Sequence, residues 1–115
     1  MDNIKNEDLI NLIARCSIKD QRAFKQLFEQ VGSYLNAVAF RIVKSEALSN
    51  EVLQEAFIQI WNNASSYRPD IAKPLTWMTS IVRYRALDIL EKEKKHHNAV
   101  SGDMHDVLEN IRSRG

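Results

Sequence analysis

An all-α fold, a compact bundle of about four helices, is what this sequence predicts, and three observations carry it. Three glycines and two prolines in 115 residues leave too few breaks for a sandwich or barrel, which needs a turn signal roughly every 8–12 residues. Apolar residues recur at 3–4 spacing through four successive stretches. Apolar content of 44% and charged content of 27% are ordinary for a globular chain, and the length suits one domain, since single cores commonly take about 100–200 residues.

The elements follow in order. Asn6 is placed to cap a first helix whose opening turn holds Glu7 and Asp8, as the helix dipole prefers. Leu9, Leu12, Ile13 and Cys16 then share one face. Lys19 and Asp20 break the pattern, and Asp20 is a good cap for the second helix. Its stripe is Phe24, Leu27, Phe28, Val31, Tyr34 or Leu35, Val38 and Ile42. The stripe runs through Gly32, so one long helix, with a kink allowed at the glycine, is expected to about Lys44. After Ser45, a third helix from about Glu46 to Ala64 carries Leu48, Val52, Leu53, Ala56, Phe57, Ile60 and Trp61. Residues 65–73 form the one substantial loop. Pro74 suits the first turn of a fourth helix, with Trp77, Met78, Ile81, Val82, Ile89 and Leu90 inward and a charged end at residues 91–95. Residues 96–115 read as a polar linker or tail, with one helical turn possible from Asp106 to Ile111.

Composition also excludes functions. No apolar run is long enough for a membrane helix, so no membrane insertion is expected. The polar, acidic start does not resemble a signal peptide, and a lone Cys16 makes neither an internal disulfide nor a zinc site. A cytoplasmic domain is therefore expected. Three isolated glycines make no phosphate loop. His96, His97 and His105 all fall in the tail, so neither a metal nor another cofactor is expected. Glu51 and Glu55 lie one turn apart, yet a solvated or partner-binding face explains them more simply than acid–base chemistry. Nothing argues for an enzyme.

The net charge of +1 hides an asymmetry. Residues 66–95 set seven Lys and Arg against Asp70, Asp88, Glu91 and Glu93, a local +3, and also carry Tyr67, Trp77 and Tyr84. Cations interleaved with aromatic rings can hold a phosphate backbone and stack bases. A solvated helix face with core aromatics explains the same composition.

Residues 50–61, NEVLQEAFIQIW, and residues 76–90, TWMTSIVRYRALDIL, closely resemble two segments of region 2 of bacterial sigma factors of the extracytoplasmic-function (ECF) class. The upstream DQRAF at residues 20–24, followed by Leu27 and Phe28, is similar to the start of the same domain, and order and spacing agree over about residues 7–95. The resemblance implies a domain that docks on the β′ clamp helices of core RNA polymerase. It also implies capture and melting of the non-template strand of the promoter −10 element, and restraint by an anti-sigma factor. On that reading residues 1–95 are region 2, and residues 96–115 begin the linker toward a region 4 for which they are too few.

The resemblance assigns Asn50, Glu51, Gln54, Glu55 and Trp61 to polymerase binding. It assigns Tyr67, Arg68, Lys73, Arg83, Tyr84 and Arg85 to DNA. Trp61 can equally be core or a partner anchor. Trp77, on the Ile81 stripe, reads as core, and Tyr67, in the polar loop, as a base contact. Asp88 reads as a helical-spacing partner of Arg85 or Lys92. Many members have Asn where this chain has Tyr84. A phenol stacks but offers one hydroxyl where an amide offers more, so the −10 base is expected to differ or to be held differently.

Two other classes fit a helical bundle: a protein-interaction module of adaptor or anti-sigma type, and a helix-turn-helix repressor. The repressor needs a turn of about 3–4 residues between its helices, and the nine-residue loop at 65–73 counts against it.

Overall fold

The computed structural model describes the backbone of residues 5–101 and the side chains of residues 5–95. Among the described residues four helices follow one another: α1 (Asn6–Ser17), α2 (Gln21–Val43), α3 (Glu46–Asn63) and α4 (Pro74–Ser101), with one 3₁₀ turn at Ala64–Ser66 after α3. The all-α bundle expected from the sequence is what forms.

Local chemistry accounts for most of the boundaries. Lys19 takes a left-handed φ of 67°, which turns the chain sharply out of α1. Asp20 then caps α2, its Oδ1 accepting from the amides of Arg22 and Ala23 at 3.0 and 3.2 Å. Its other oxygen accepts from Arg15 Nε at 2.9 Å. That bond, with the Ala23 amide, holds the Asp20 carboxyl below the usual carboxylate range. Lys44, at φ 56°, ends α2 in the left-handed region and returns its N–H to the Phe40 carbonyl at 2.8 Å. Ser45 caps α3 through its Oγ, which accepts from the Leu48 amide at 3.2 Å.

Two ends depart from expectation. Asn6 does not cap α1; it is the first helical residue, preceded by an extended Lys5 with no side-chain cap. Glu7 and Asp8 in the first turn meet the dipole instead. α4 also continues to Ser101 rather than stopping with the charged run at 91–95. The turn expected from Asp106 to Ile111, with the rest of the tail from residue 102, lies outside the described residues.

Central α2 packs on all three other helices, and α1 also rests on the 3₁₀ turn. One continuous core results, with Leu9, Ile13, Leu27, Leu35, Ile60 and Met78 among its fully buried side chains. The ambiguity at 34/35 resolves with Leu35 inside and Tyr34 44% exposed. Phe28, expected on the inner stripe, is 46% exposed. A stripe drawn every 3–4 residues is wider than the arc one neighbouring helix covers.

α2 passes through Gly32 as one continuous helix. A Cβ there would meet the Phe28 ring at 3.5 Å, an ordinary van der Waals contact. Gly32→Ala should therefore stabilise the fold by about 0.5–1 kcal/mol, because alanine loses less backbone entropy in a helix. A urea midpoint that rises with an unchanged slope is the expected readout; a fall would mean the Phe28 ring cannot accept the methyl.

Candidate nucleic-acid and partner interface

The outer surface of α3 meets α2 in an apolar groove of about 460 Å³ lined by Phe24, Phe28, Asn50, Leu53, Gln54, Phe57 and Ile58. Its floor and walls are edge-to-face aromatic pairs, Phe28 on Phe57 at 5.0 Å and Phe24 on Phe57 at 5.9 Å between centroids. The groove continues along Phe24, Ile58 and Trp61 toward Gln21. Trp61 is half-buried, edge-on to Phe24 at 5.0 Å, with the Lys19 ammonium 5.0 Å from its ring centroid. Ile58, 59% exposed, was not on the α3 stripe. An apolar residue off the stripe was the available signal for this surface, and the sequence reading missed it.

The five residues assigned to a partner therefore divide. Asn50 and Gln54, one turn apart and exposed, rim the groove, and Trp61 closes its far end. Glu51 is exposed on the same helix without lining the groove. Glu55 turns toward α4, where its carboxylate lies 3.6 Å from Arg85 Nη1.

The loop and α4 correct part of the sequence reading. Tyr67 is not a free ring in a polar loop: it is 8% exposed and belongs to the core. Its hydroxyl donates to the Ala72 carbonyl at 2.7 Å, and its ring tilts against Trp77 with centroids 4.8 Å apart. The short loop folds back far enough to bury its own aromatic, and burial pushes the phenol pKa up. Trp77 is half-buried, as its stripe implied.

Arg68 stays exposed but grips Asp70 with two parallel bonds, 3.1 Å to Oδ1 and 2.8 Å to Oδ2, so its charge is balanced within the loop. Arg85 is likewise not a free cation. It is half-buried between Glu55 at 3.6 Å and Asp88 at 4.0 Å, and its buried Nε has no hydrogen-bond partner among the described residues. Asp88 takes both partners expected of it, with Lys92 Nζ at 3.3 Å.

Lys73, Arg83 and Tyr84 remain open to solvent. Tyr84 is 61% exposed, with the Arg85 guanidinium 5.1 Å from its ring centroid. Arg83 lines a shallow groove of about 310 Å³ between α2 and α4 with Tyr34, Leu75, Thr76, Thr79 and Ser80. Among the described residues Lys73 and Arg83 form no ion pair.

Cys16 is buried, and desolvation raises its thiol pKa, which suits a packing residue and not a reactive one. Among the described residues no three His, Cys, Asp or Glu side chains converge as metal ligands would. His105 and the side chains of His96 and His97 lie outside them. No described helix is long and apolar enough to cross a membrane.

Comparison with known proteins gives the family. The family model of Sigma-70 region 2 matches residues 27–96, which include most of α2, all of α3, the loop and most of α4. Among curated proteins, the chain is similar to the ECF RNA polymerase sigma factor SigK of Mycobacterium sp. (strain KMS). The two are 28% identical over 87 residues, 76% of this chain and 45% of the relative. It is 25% identical over 87 residues to the protein of that name from Mycolicibacterium vanbaalenii, covering 76% of this chain and 44% of the relative. With the Mycobacterium tuberculosis protein of that name, identity is 27% over 89 residues, 77% of this chain and 48% of the relative. The chain thus spans less than half the length of these curated relatives.

Proposed function

This chain belongs to the Sigma-70 region 2 family, and from that membership we propose that it acts in transcription initiation as the region 2 domain of an ECF-type sigma factor. It docks on the β′ clamp helices of core RNA polymerase and recognises and melts the promoter −10 element. The observation that carries the docking half is the aromatic-walled groove between α2 and α3 rimmed by Asn50 and Gln54. An exposed apolar groove with a polar rim has the anatomy of a protein interface, and the space between two helices suits a helical partner. An anti-sigma factor that covers the same groove would compete with the polymerase.

The DNA half rests on Lys73, Arg83 and Tyr84, which stay open on and just before α4. Arg68 and Arg85 contribute less than their charge suggests, because carboxylates already hold them. Glu55 and Arg85 are best regarded as one unit that ties α3 to α4.

Core polymerase binding tests the proposal. Asn50→Ala with Gln54→Ala should weaken it at least about fivefold, the loss of about 1 kcal/mol at an interface rim. The helical circular-dichroism signal should stay intact, since both side chains are exposed. Unchanged affinity would remove this groove from the docking site. The pairing of Arg68 and Arg85 favours one second reading, a helical protein-interaction module without DNA binding. Titration with single-stranded and duplex promoter DNA at several salt concentrations separates them. A sigma domain prefers the open strand, a repressor the duplex, and an interaction module neither.

A further inference from the structure

We infer that the partner filling the groove between α2 and α3 sets a carboxylate against Lys19 at the Trp61 end and a cation against Glu51 at the Asn50 end, so that charge fixes its direction along the groove. The inference rests on the docking half of the function proposed above. It adds Lys19, which precedes the stretch matched by the family model.

The turn out of α1 carries the first observation. The Lys19 amide donates to the Cys16 carbonyl at 2.9 Å and the Asp20 amide to the Arg15 carbonyl at 3.0 Å. These are the paired bonds of a helix end that favours glycine in the left-handed position. Lys19 holds that position at φ 67°. A side chain there strains the backbone, and an exposed ion–ring contact returns only a similar amount, so the fold gains little from a lysine over a glycine. Its ammonium is nonetheless set 5.0 Å from the centroid of Trp61, the ring that closes the groove.

Charge along the groove is the second observation. Asp20, the carboxylate nearest to Lys19 in sequence, is taken by Arg15 and by the first amides of α2. Lys25 is exposed one turn after Gln21, which lines the same end. Neither Lys19 nor Lys25 has an ion pair among the described residues. Two uncompensated cations therefore stand at the Trp61 end. Glu51 stands at the other, exposed beside Asn50, unpaired among the described residues and about 15 Å along α3 from Trp61. The residues lining the groove between them are all uncharged. An apolar floor accepts an amphipathic helix in either direction, and only the charged ends tell the two apart.

The test is titration of core polymerase with the full chain at several salt concentrations. Lys19→Met, which keeps the aliphatic stem, should weaken binding about threefold and flatten its salt dependence, while Lys19→Arg should bind nearly as the parent does. Lys19→Glu and Glu51→Lys should each cost about tenfold, because a like charge then meets the partner. The decisive variant combines them: Lys19→Glu with Glu51→Lys keeps the net charge but reverses the ends, and its losses should multiply. Parent-like affinity of that double variant would mean that the groove reads net charge alone, and the inference would fall. Lys19→Gly separates docking from folding: its urea midpoint should not drop, and its affinity should fall as for Lys19→Met. A lower midpoint with unchanged affinity would make the contact with Trp61 a device of the fold and overturn the inference. If Asn50→Ala with Gln54→Ala weakens docking while every charge variant binds as the parent, the inference falls and the docking site stands. If the parent binds no core polymerase, the two fall together.

Discussion

Tyr67→Ala should destabilise the domain by about 3–5 kcal/mol, the range for truncating a buried aromatic. The reason is the position of this ring under the loop: it fills the core beside Trp77 at 4.8 Å, and its hydroxyl closes the loop onto the Ala72 carbonyl at 2.7 Å. Against a total stability of about 5–15 kcal/mol, that loss is a large share of what holds the domain folded. Tyr67→Phe keeps the ring and loses only the hydroxyl bond, so its cost should be about 0.5–1.5 kcal/mol, with oligonucleotide affinity preserved. Urea denaturation of both variants is the measurement. An alanine variant with the parent's midpoint would return Tyr67 to the solvent face.

A pH series adds an independent check. Burial favours the protonated phenol, so this residue's contribution is fully present below the unfolded tyrosine's pKa of about 10 and is lost as pH rises above it. The parent should therefore lose stability at high pH more steeply than Tyr67→Phe.

Ile58→Asp should abolish docking while leaving the fold in place. Ile58 is 59% exposed on the groove wall, so an aspartate there stays solvated in the free domain and costs the fold little. Covering the groove with a partner would trap that carboxylate without a counter-charge. An uncompensated buried charge costs about 3–5 kcal/mol, more than a hundredfold in affinity. Core polymerase pull-down or titration reads the effect. Tyr84→Ala, a change on α4 outside this groove, serves as the control that should bind normally. Equal affinity of Ile58→Asp and the parent would place the partner on another face.

The elements of this protein were legible in its sequence because the signals that make them act over a few residues. Asp20 and Ser45 accept bonds from amides two or three positions on, Pro74 opens a helix with its own fixed φ, and a 3.6-residue period names an inner face. The same short-range patterns at residues 20–28, 50–61 and 76–90 carried the family. What each functional side chain does was decided elsewhere. Leu35 won the core over Tyr34, Phe28 and Ile58 were left on the surface, and Tyr67 was drawn under its own loop. Glu55 and Arg85, assigned to separate surfaces, proved to be partners across α3 and α4 at 3.6 Å. Spacing along one helix sets a residue's angle, but how much of that helix is covered, and which charge meets which, depends on neighbours contributed by other elements, such as Phe57 on α3 beside Phe28 and Arg85 on α4 beside Glu55. Only the packed bundle brings those together.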